Sequence, residues 1–110
     1  MIIDQEENIS IITQEKTTTI ELVKKLETLY PKFEKHNIII KLSSLGKISL
    51  QDVTEFLRLS NKHRQAKQSF VVVTNAINAD EAPDEIIIVP TLKEAFDIIE
   101  MEEMERDLGF

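Results

Sequence analysis

Residues 37–64, NIIIKLSSLGKISLQDVTEFLRLSNKHR, decide the fold of this chain because they join a strand pattern to a helix pattern. Residues 38–40 form an uninterrupted β-branched run, which indicates a strand covered on both faces, as in a parallel sheet. Ser49 has the position of a helix N-cap, with Asp52 near the positive end of the helix dipole. Apolar side chains then recur at helical spacing: Leu50, Val53, Phe56, Leu57 and Leu59. The stretch predicts a buried strand, a polar turn and an amphipathic helix.

On the N-terminal side of this unit, the sequence predicts a β-hairpin and a helix. Two isoleucine-rich runs, at residues 2–3 and 9–12, are separated by polar residues and indicate the two strands of the hairpin. Thr18 and Glu21 then have the spacing of a capping box, which begins a helix. Pro31 lacks a backbone N–H and should kink or restart that helix. We expect the helix to run to about Leu29, and a second short turn to Lys35 is left open.

On the C-terminal side, two more strands and a last helix are predicted. Residues 70–73, FVVV, and 86–89, IIIV, are continuous apolar runs typical of buried strands. The polar segment 74–85 between them is too short for a well-packed crossover helix, so we expect only a turn there. Thr91 and Glu94 form a second capping box, which begins the closing helix.

This order of elements predicts a single α/β domain over residues 1–110. The chain has 110 residues, which suits one domain. Strands that alternate with helices imply a mostly parallel sheet with right-handed crossovers. We therefore expect a five-stranded mixed, mostly parallel sheet with an N-terminal hairpin, and helices mainly on one face.

The composition limits the cellular location and the binding partners that we expect for the protein. The net charge is −7, which disfavours direct nucleic-acid binding. There is no cysteine, no apolar run of about 20 residues and no signal-peptide pattern at the start. We expect a soluble, cytoplasmic protein that does not bind membranes. Four basic residues near the end of the middle helix are interpreted as a solvated helix terminus: Lys62, His63, Arg64 and Lys67.

The same pattern resembles the STAS domain, named for sulphate transporters and anti-sigma-factor antagonists. IIIKLSSLGKIS at residues 38–49 and LQDVTEFLRL after it resemble the family's strand, short turn and helix. FVVVTN, EIIIVP and TLKEAFDIIE resemble its following strand, last strand and closing helix. The resemblance runs from about Ile9 to Glu100. It implies a non-enzymatic, regulatory module that binds other proteins.

The departures from the STAS pattern concern its phosphorylation switch. The family's Asp-Ser-Ser-Gly motif aligns with residues 49–52, which are Ser, Leu, Gln and Asp. In this alignment the serine that antagonists use as a switch falls on Leu50, which carries no hydroxyl group, whereas a shift of one residue would bring Ser49 to that place. The helix that links the last two strands in the family is also shortened here. The resemblance thus implies an interaction module without an intact switch.

A weaker likeness concerns the C-terminal part of the chain. Residues 84–110, DEIIIVPTLKEAFDIIEMEEMERDLGF, look similar to a short bacterial family sometimes labelled ribonuclease Z. That nuclease needs a His-rich metal motif of the form HxHxDH, and this chain has only His36 and His63. The likeness therefore implies at most an association with an RNA-processing enzyme.

The sequence provides no catalytic, cofactor or metal signature. The chain has no thiol, and its two histidines are far apart in sequence. Its paired carboxylates lack EF-hand spacing, and Gly46 alone does not make a phosphate-binding loop. We expect no catalytic residue, no cofactor and no metal ion.

Two features are candidate interaction or switch sites. The Ser49 hydroxyl is either a modifiable group or, as the Asp52 spacing favours, an N-cap. In residues 101–110, Met101, Met104 and Leu108 lie opposite the apolar face of the last helix, at about 100° per residue. If the helix continues, this second stripe needs a partner, either another protein or a second copy of the chain. If the helix frays near Glu102, the tail is a passive end.

The leading functional hypothesis is a protein-interaction and regulatory module. The first alternative is an accessory subunit of an RNA-processing enzyme, with the acidic tail as the docking peptide. The second is a small-ligand carrier that uses the turn at residues 43–49.

Overall fold

The computed structural model describes residues 1–14, 18–42 and 48–109. Most of the turn predicted at residues 43–49 lies outside these ranges, as does Phe110 of the tail. Two single 3-10 turns, Tyr30–Lys32 and Ala79–Glu81, accompany the helices and strands. These are, in chain order, β1 (Ile2–Glu6), β2 (Ile9–Thr13), α1 (Thr19–Leu29), β3 (Asn37–Lys41), α2 (Leu50–Thr54), α3 (Leu57–Gln65), β4 (Phe70–Val73), β5 (Ile87–Val89) and α4 (Leu92–Asp107).

The five strands form one mixed sheet in the order β1-β2-β3-β4-β5. The hairpin pairs β1 with β2 antiparallel, in a register that places Ile3 opposite Ile12. All the other neighbours are parallel, with Ile39 opposite Ile11 on one side and Val71 on the other. The predicted five-stranded, mostly parallel sheet with an N-terminal hairpin is confirmed.

The helices divide unevenly between the two faces of the sheet. One face is covered by α1, α2 and α3, whose buried side chains include Leu22, Val53 and Leu59. The other face is covered by α4, which packs Ala95 and Ile99 against it. The expectation that helices lie mainly on one face is confirmed, and α4 is the helix on the opposite face.

Local signals in the sequence set the ends of the helices. The hydroxyl of Thr18 accepts a hydrogen bond from the backbone N–H of Glu21 at 3.2 Å and begins α1. That helix ends at Leu29, just before the 3-10 turn that contains Pro31, as predicted. At the start of α4, Thr91 accepts from the N–H of Glu94 at 3.2 Å.

The middle helix differs from the prediction, because it is divided into α2 and α3 after Thr54. The Thr54 hydroxyl donates to the carbonyl of Gln51 at 2.7 Å, which competes with the helical hydrogen-bond ladder. Phe56, fully buried at the break, still contributes to the core. A periodicity of apolar residues does not show such a break, because the buried positions keep nearly the same spacing.

None of the helices in the described ranges combines the length and the apolar composition that a bilayer-spanning helix requires.

Candidate functional site

The last helix, α4, continues through Asp107, so most of the predicted tail is helical. Three large apolar side chains of this helix end point away from the sheet. Met101 is 49% exposed and Met104 is 58% exposed. Leu108, the C-cap residue of the helix, is 72% exposed. Of the two alternatives for the tail, the structure therefore has the continuous helix with an uncovered second stripe.

These three side chains, which we call the outer stripe, lie along one line of the helix. They are spaced three and four residues apart, the separation that places side chains on one helix face. The apolar inner face of the same helix is formed by Leu92, Ala95, Phe96 and Ile99, which pack on the sheet. At about 100° per residue, the outer stripe lies roughly opposite that inner face.

The inner side of the second half of α4 is polar and is hydrogen-bonded to the body. Asn8, in the β1–β2 turn, donates from Nδ2 to Glu103 Oε2 at 2.6 Å. Arg64 at the end of α3 donates from Nη1 to Glu102 Oε2 at 3.2 Å, in a partly buried ion pair. These contacts fix the helix end at the edge where the parallel strands begin.

Arg106 adds a third anchor one turn further along α4. Its guanidinium donates from Nη1 to Ser69 Oγ at 3.2 Å and from Nη2 to Asn37 Oδ1 at 3.3 Å. Asn37 and Ser69 are both buried, and Asn37 Oδ1 also accepts from the Ser69 backbone N–H at 2.8 Å. Because a forked guanidinium reaches both residues, the helix end is fixed in orientation as well as in position.

The outer stripe is bordered by exposed acidic side chains. Asp97 continues the line of the stripe toward the start of the helix, and Glu100, Glu105 and Asp107 flank it. Within the part of the chain that the structure describes, none of these four carboxylates forms an ion pair. The outer face of α4 is therefore a line of apolar side chains bordered by negatively charged carboxylates.

The predicted basic cluster at the end of α3 does not form one surface. His63 is buried, Arg64 is paired with Glu102, and Lys62 lies 4.4 Å from the centroid of the Tyr30 ring. A cleft of about 380 Å³ between the ends of α3 and α4 is lined by side chains of both charges: Arg64, Lys67, Gln68, Glu102, Glu105, Arg106 and Gly109.

Ser49 lies at the exposed N-terminus of the short helix α2, where it forms a capping box with Asp52. Its Oγ accepts from the Asp52 N–H at 3.2 Å, and the Ser49 N–H donates to Asp52 Oδ2 at 2.9 Å. The hydroxyl also lies 3.1 Å from the same carboxylate oxygen. This geometry is that of the structural N-cap, which was one of the two interpretations of this residue. Modification of the Ser49 hydroxyl, the other interpretation, stays a prediction.

The two histidines, distant in sequence, are connected through one backbone carbonyl. His63 Nε2 lies 2.6 Å from the carbonyl oxygen of His36, and a carbonyl only accepts, so Nε2 carries the proton. The neutral ring's Nδ1 then accepts from the Tyr30 hydroxyl at 2.8 Å. Burial lowers the pKa of His63 and raises that of Tyr30. The arrangement joins α3 to the segment before β3 and is a buried structural contact.

Metal-binding residues do not gather in the described ranges, where no three His, Asp or Glu side chains are close enough together to hold an ion. Comparison with known proteins adds no further assignment. No family model matches this chain, and no curated protein matches it either.

Sequence reasoning predicted the outer stripe but not the residues that hold it in place. The polar anchors Asn8, Asn37, Ser69 and Arg106 were not singled out. One signal was present: at about 100° per residue, Glu102, Glu103 and Arg106 fall on the same side of α4 as Ile99. Charged side chains on the sheet side of a helix imply polar partners beneath them.

Proposed function

We propose that this chain is a non-enzymatic, STAS-like protein-interaction module with regulatory character, and that it captures its partner through the outer stripe of α4. The partner is another protein or a second copy of the chain. The module needs neither a cofactor nor a metal ion, and it acts in the cytoplasm without binding nucleic acid or membranes.

The observation that carries this proposal is the exposure of Met101, Met104 and Leu108 on an anchored helix. Contiguous apolar side chains with a charged border are typical of interaction surfaces. Methionine adapts its shape to a partner at little cost, which suits it to such a surface. Because the helix is already held by Arg106, a partner would meet a preformed surface and pay less for ordering it.

The proposed regulation does not use the phosphorylation switch of STAS antagonists. Leu50 occupies the switch position in the alignment with that family, and the neighbouring Ser49 is engaged as the cap of α2. Control of such a module would then reside in the abundance of the partner or in competition for the stripe.

Association with an RNA-processing enzyme is one form of the same proposal, in which the captured protein is that enzyme. In this form the docking element is the face of an anchored helix rather than a free acidic peptide. The small-ligand alternative depends on residues 43–49, most of which lie outside the described ranges, and no described residue argues for it.

The test compares three forms of the 110-residue chain: the natural sequence, Met104→Glu and Ile20→Glu. Ile20 is 52% exposed on α1, on the other side of the molecule, so its substitution is a matched control. Each form is used for affinity capture from the native cell with mass spectrometry, and for sedimentation velocity alone. We expect the natural sequence to capture a partner or to self-associate. Met104→Glu should abolish this association, and Ile20→Glu should retain it. Equal behaviour of all three forms would contradict the proposal.

A further inference from the structure

We infer that the occupant of the outer stripe is an amphipathic helix of a different protein, with basic residues beside its apolar line. This inference rests on the proposed function and specifies its partner. Shape argues for the helix, and charge argues for the basic residues and against a second copy.

The shape of the surface favours a helical occupant. Met101, Met104 and Leu108 have the a, d, a spacing of a heptad, which is the seam used when two helices pack side by side. The surface is the convex outside of a helix, so the partner has to supply the groove. A second helix does this by placing the ridges of one helix in the grooves of the other.

The charges beside the seam favour a basic occupant. Glu100 and Asp107 flank one side of the stripe, Glu105 flanks the other, and Asp97 precedes Met101 on the seam itself. All four side chains are exposed, and Lys93 is the basic residue on this face of the helix. Lysine or arginine at the flanking positions of a partner would meet these carboxylates across the seam, as e and g residues do in coiled coils.

The same charges argue against pairing with a second copy. With Met101 at position a, Glu100 and Asp107 occupy g positions and Glu105 an e position. A parallel pair would set Glu100 opposite Glu105, and an antiparallel pair would bring the g-position carboxylates Glu100 and Asp107 together. Like charges across a seam are unfavourable, and each copy also carries a net charge of −7.

The experiment uses fluorescence anisotropy to measure binding of fluorescein-labelled peptides of about three heptads to the whole chain described above. The basic peptide has leucine at its a and d positions and lysine at e and g. The acidic peptide replaces those lysines by glutamate, and a scrambled peptide keeps the basic composition without the apolar line. The scrambled peptide controls for simple attraction to an acidic protein.

The protein variants separate the apolar contribution from the charge contribution. Met104→Glu disrupts the seam, with Ile20→Glu as its control. Glu105→Lys combined with Asp107→Lys reverses the flanking charge, with Glu81→Lys on the distant 3-10 turn as its control. We expect the basic peptide to bind most tightly and to lose about tenfold or more on Met104→Glu. The charge reversal should weaken the basic peptide and strengthen the acidic one, and the controls should leave both unchanged.

The remaining outcomes distinguish a failure of the charge inference from a failure of the proposed function. Acidic-peptide binding as tight as that of the basic peptide, or equal binding of the scrambled peptide, would overturn the charge inference and leave the proposed function standing. Self-association that Met104→Glu removes, with no peptide bound, would replace the basic helix by a second copy. A monomer that binds no peptide and loses no cellular partner on Met104→Glu would overturn both the inference and the proposed function.

Discussion

The two halves of α4 present opposite polarity to the sheet. In the first half, Ala95 and Ile99 are buried against the strands, and the charged residues point outward. In the second half, Glu102, Glu103 and Arg106 point toward the body, and the apolar outer stripe points away from it. One continuous helix thus has a conventional amphipathic part and an inverted part.

A helix end can therefore be ordered without burying its apolar side chains. The second half is held by charge-assisted hydrogen bonds to Asn8, Asn37 and Ser69, and it does not need to bury its large side chains to stay in place. Each fully buried side chain of this size contributes roughly 1.5–3 kcal/mol. In the inverted half, the large apolar side chains stay exposed, so they contribute no such free energy to folding.

The largest difference between the two halves is expected when one side chain is truncated in each. Ile99→Ala should lower the free energy of unfolding by about 2–5 kcal/mol, because it leaves a cavity under the helix. Met104→Ala should change it by no more than about 0.5 kcal/mol, because that side chain is exposed. Urea denaturation of the two variants beside the natural chain gives both values. Similar losses for both would show that the outer stripe is buried after all.

A second test removes the anchor of the inverted half. Arg106→Met should destabilise the chain by about 1–3 kcal/mol, because Asn37 and Ser69 lose a partner in a buried setting. Lys93→Met on the outer face of the same helix is the control and should be nearly neutral. Hydrogen exchange should also accelerate in residues 101–107 of Arg106→Met and remain slow in residues 92–100. Uniform protection along both halves would mean that Arg106 does not hold the helix end.

A third test asks whether the interaction surface is confined to α4. Ser49→Ala should cost about 0.5–2 kcal/mol, because it removes the N-cap of α2. Partner capture and binding of the basic peptide should stay at the natural level, since Ser49 is not part of the outer stripe. Stoichiometric modification of Ser49 that released a partner would instead make that residue a switch.

A fourth test uses pH to separate folding from docking. Burial holds the pKa of His63 below its usual value of 6.5, so the unfolded chain takes up this proton at a higher pH than the folded chain. The stability that the neutral His63 ring contributes should therefore be fully present above about pH 6.5. It should be lost progressively as the pH falls below that value. His63 is a buried residue of α3 and is not part of the docking surface on α4, so peptide binding should persist where stability begins to fall.

The variant that checks the pH prediction is His63→Gln. His63→Gln should flatten the pH dependence of the unfolding free energy below pH 6.5, even though it lowers stability overall. An unchanged slope in His63→Gln would assign the titration to another group.

Much of the fold followed from local patterns in the sequence. The β-branched runs at residues 38–40 and 70–73 predicted the central parallel strands, because strands buried on both faces need apolar side chains at consecutive positions. The Thr18, Ser49 and Thr91 caps predicted three helix starts, because capping depends on residues only three positions apart. Pro31 predicted the end of α1 for the same local reason.

The parts that did not follow depend on contacts distant in sequence. Arg106 and Asn37 are 69 positions apart, so no periodicity within one segment predicts their hydrogen bond. The same is true of the contact between Tyr30 and His63, which only the packing of α3 on the sheet brings about. The outer stripe was predictable because its members lie on one helix. The continuation of α4 through the tail was not predictable, since it depends on anchoring contacts with residues distant in sequence.

Folding and binding measured on the same variant test whether the outer stripe serves association rather than stability. In Met101→Gln, Met104→Gln and Leu108→Gln combined, glutamine keeps the helix propensity and removes the apolar surface. Urea denaturation is recorded for this variant and the natural chain, with and without the basic peptide at about 100 times its dissociation constant. Without peptide, we expect the two unfolding free energies to agree within about 0.5 kcal/mol. With peptide, only the natural chain should gain about 2.7 kcal/mol. A variant that is strongly destabilised, or one that gains as much from the peptide as the natural chain does, would contradict the account.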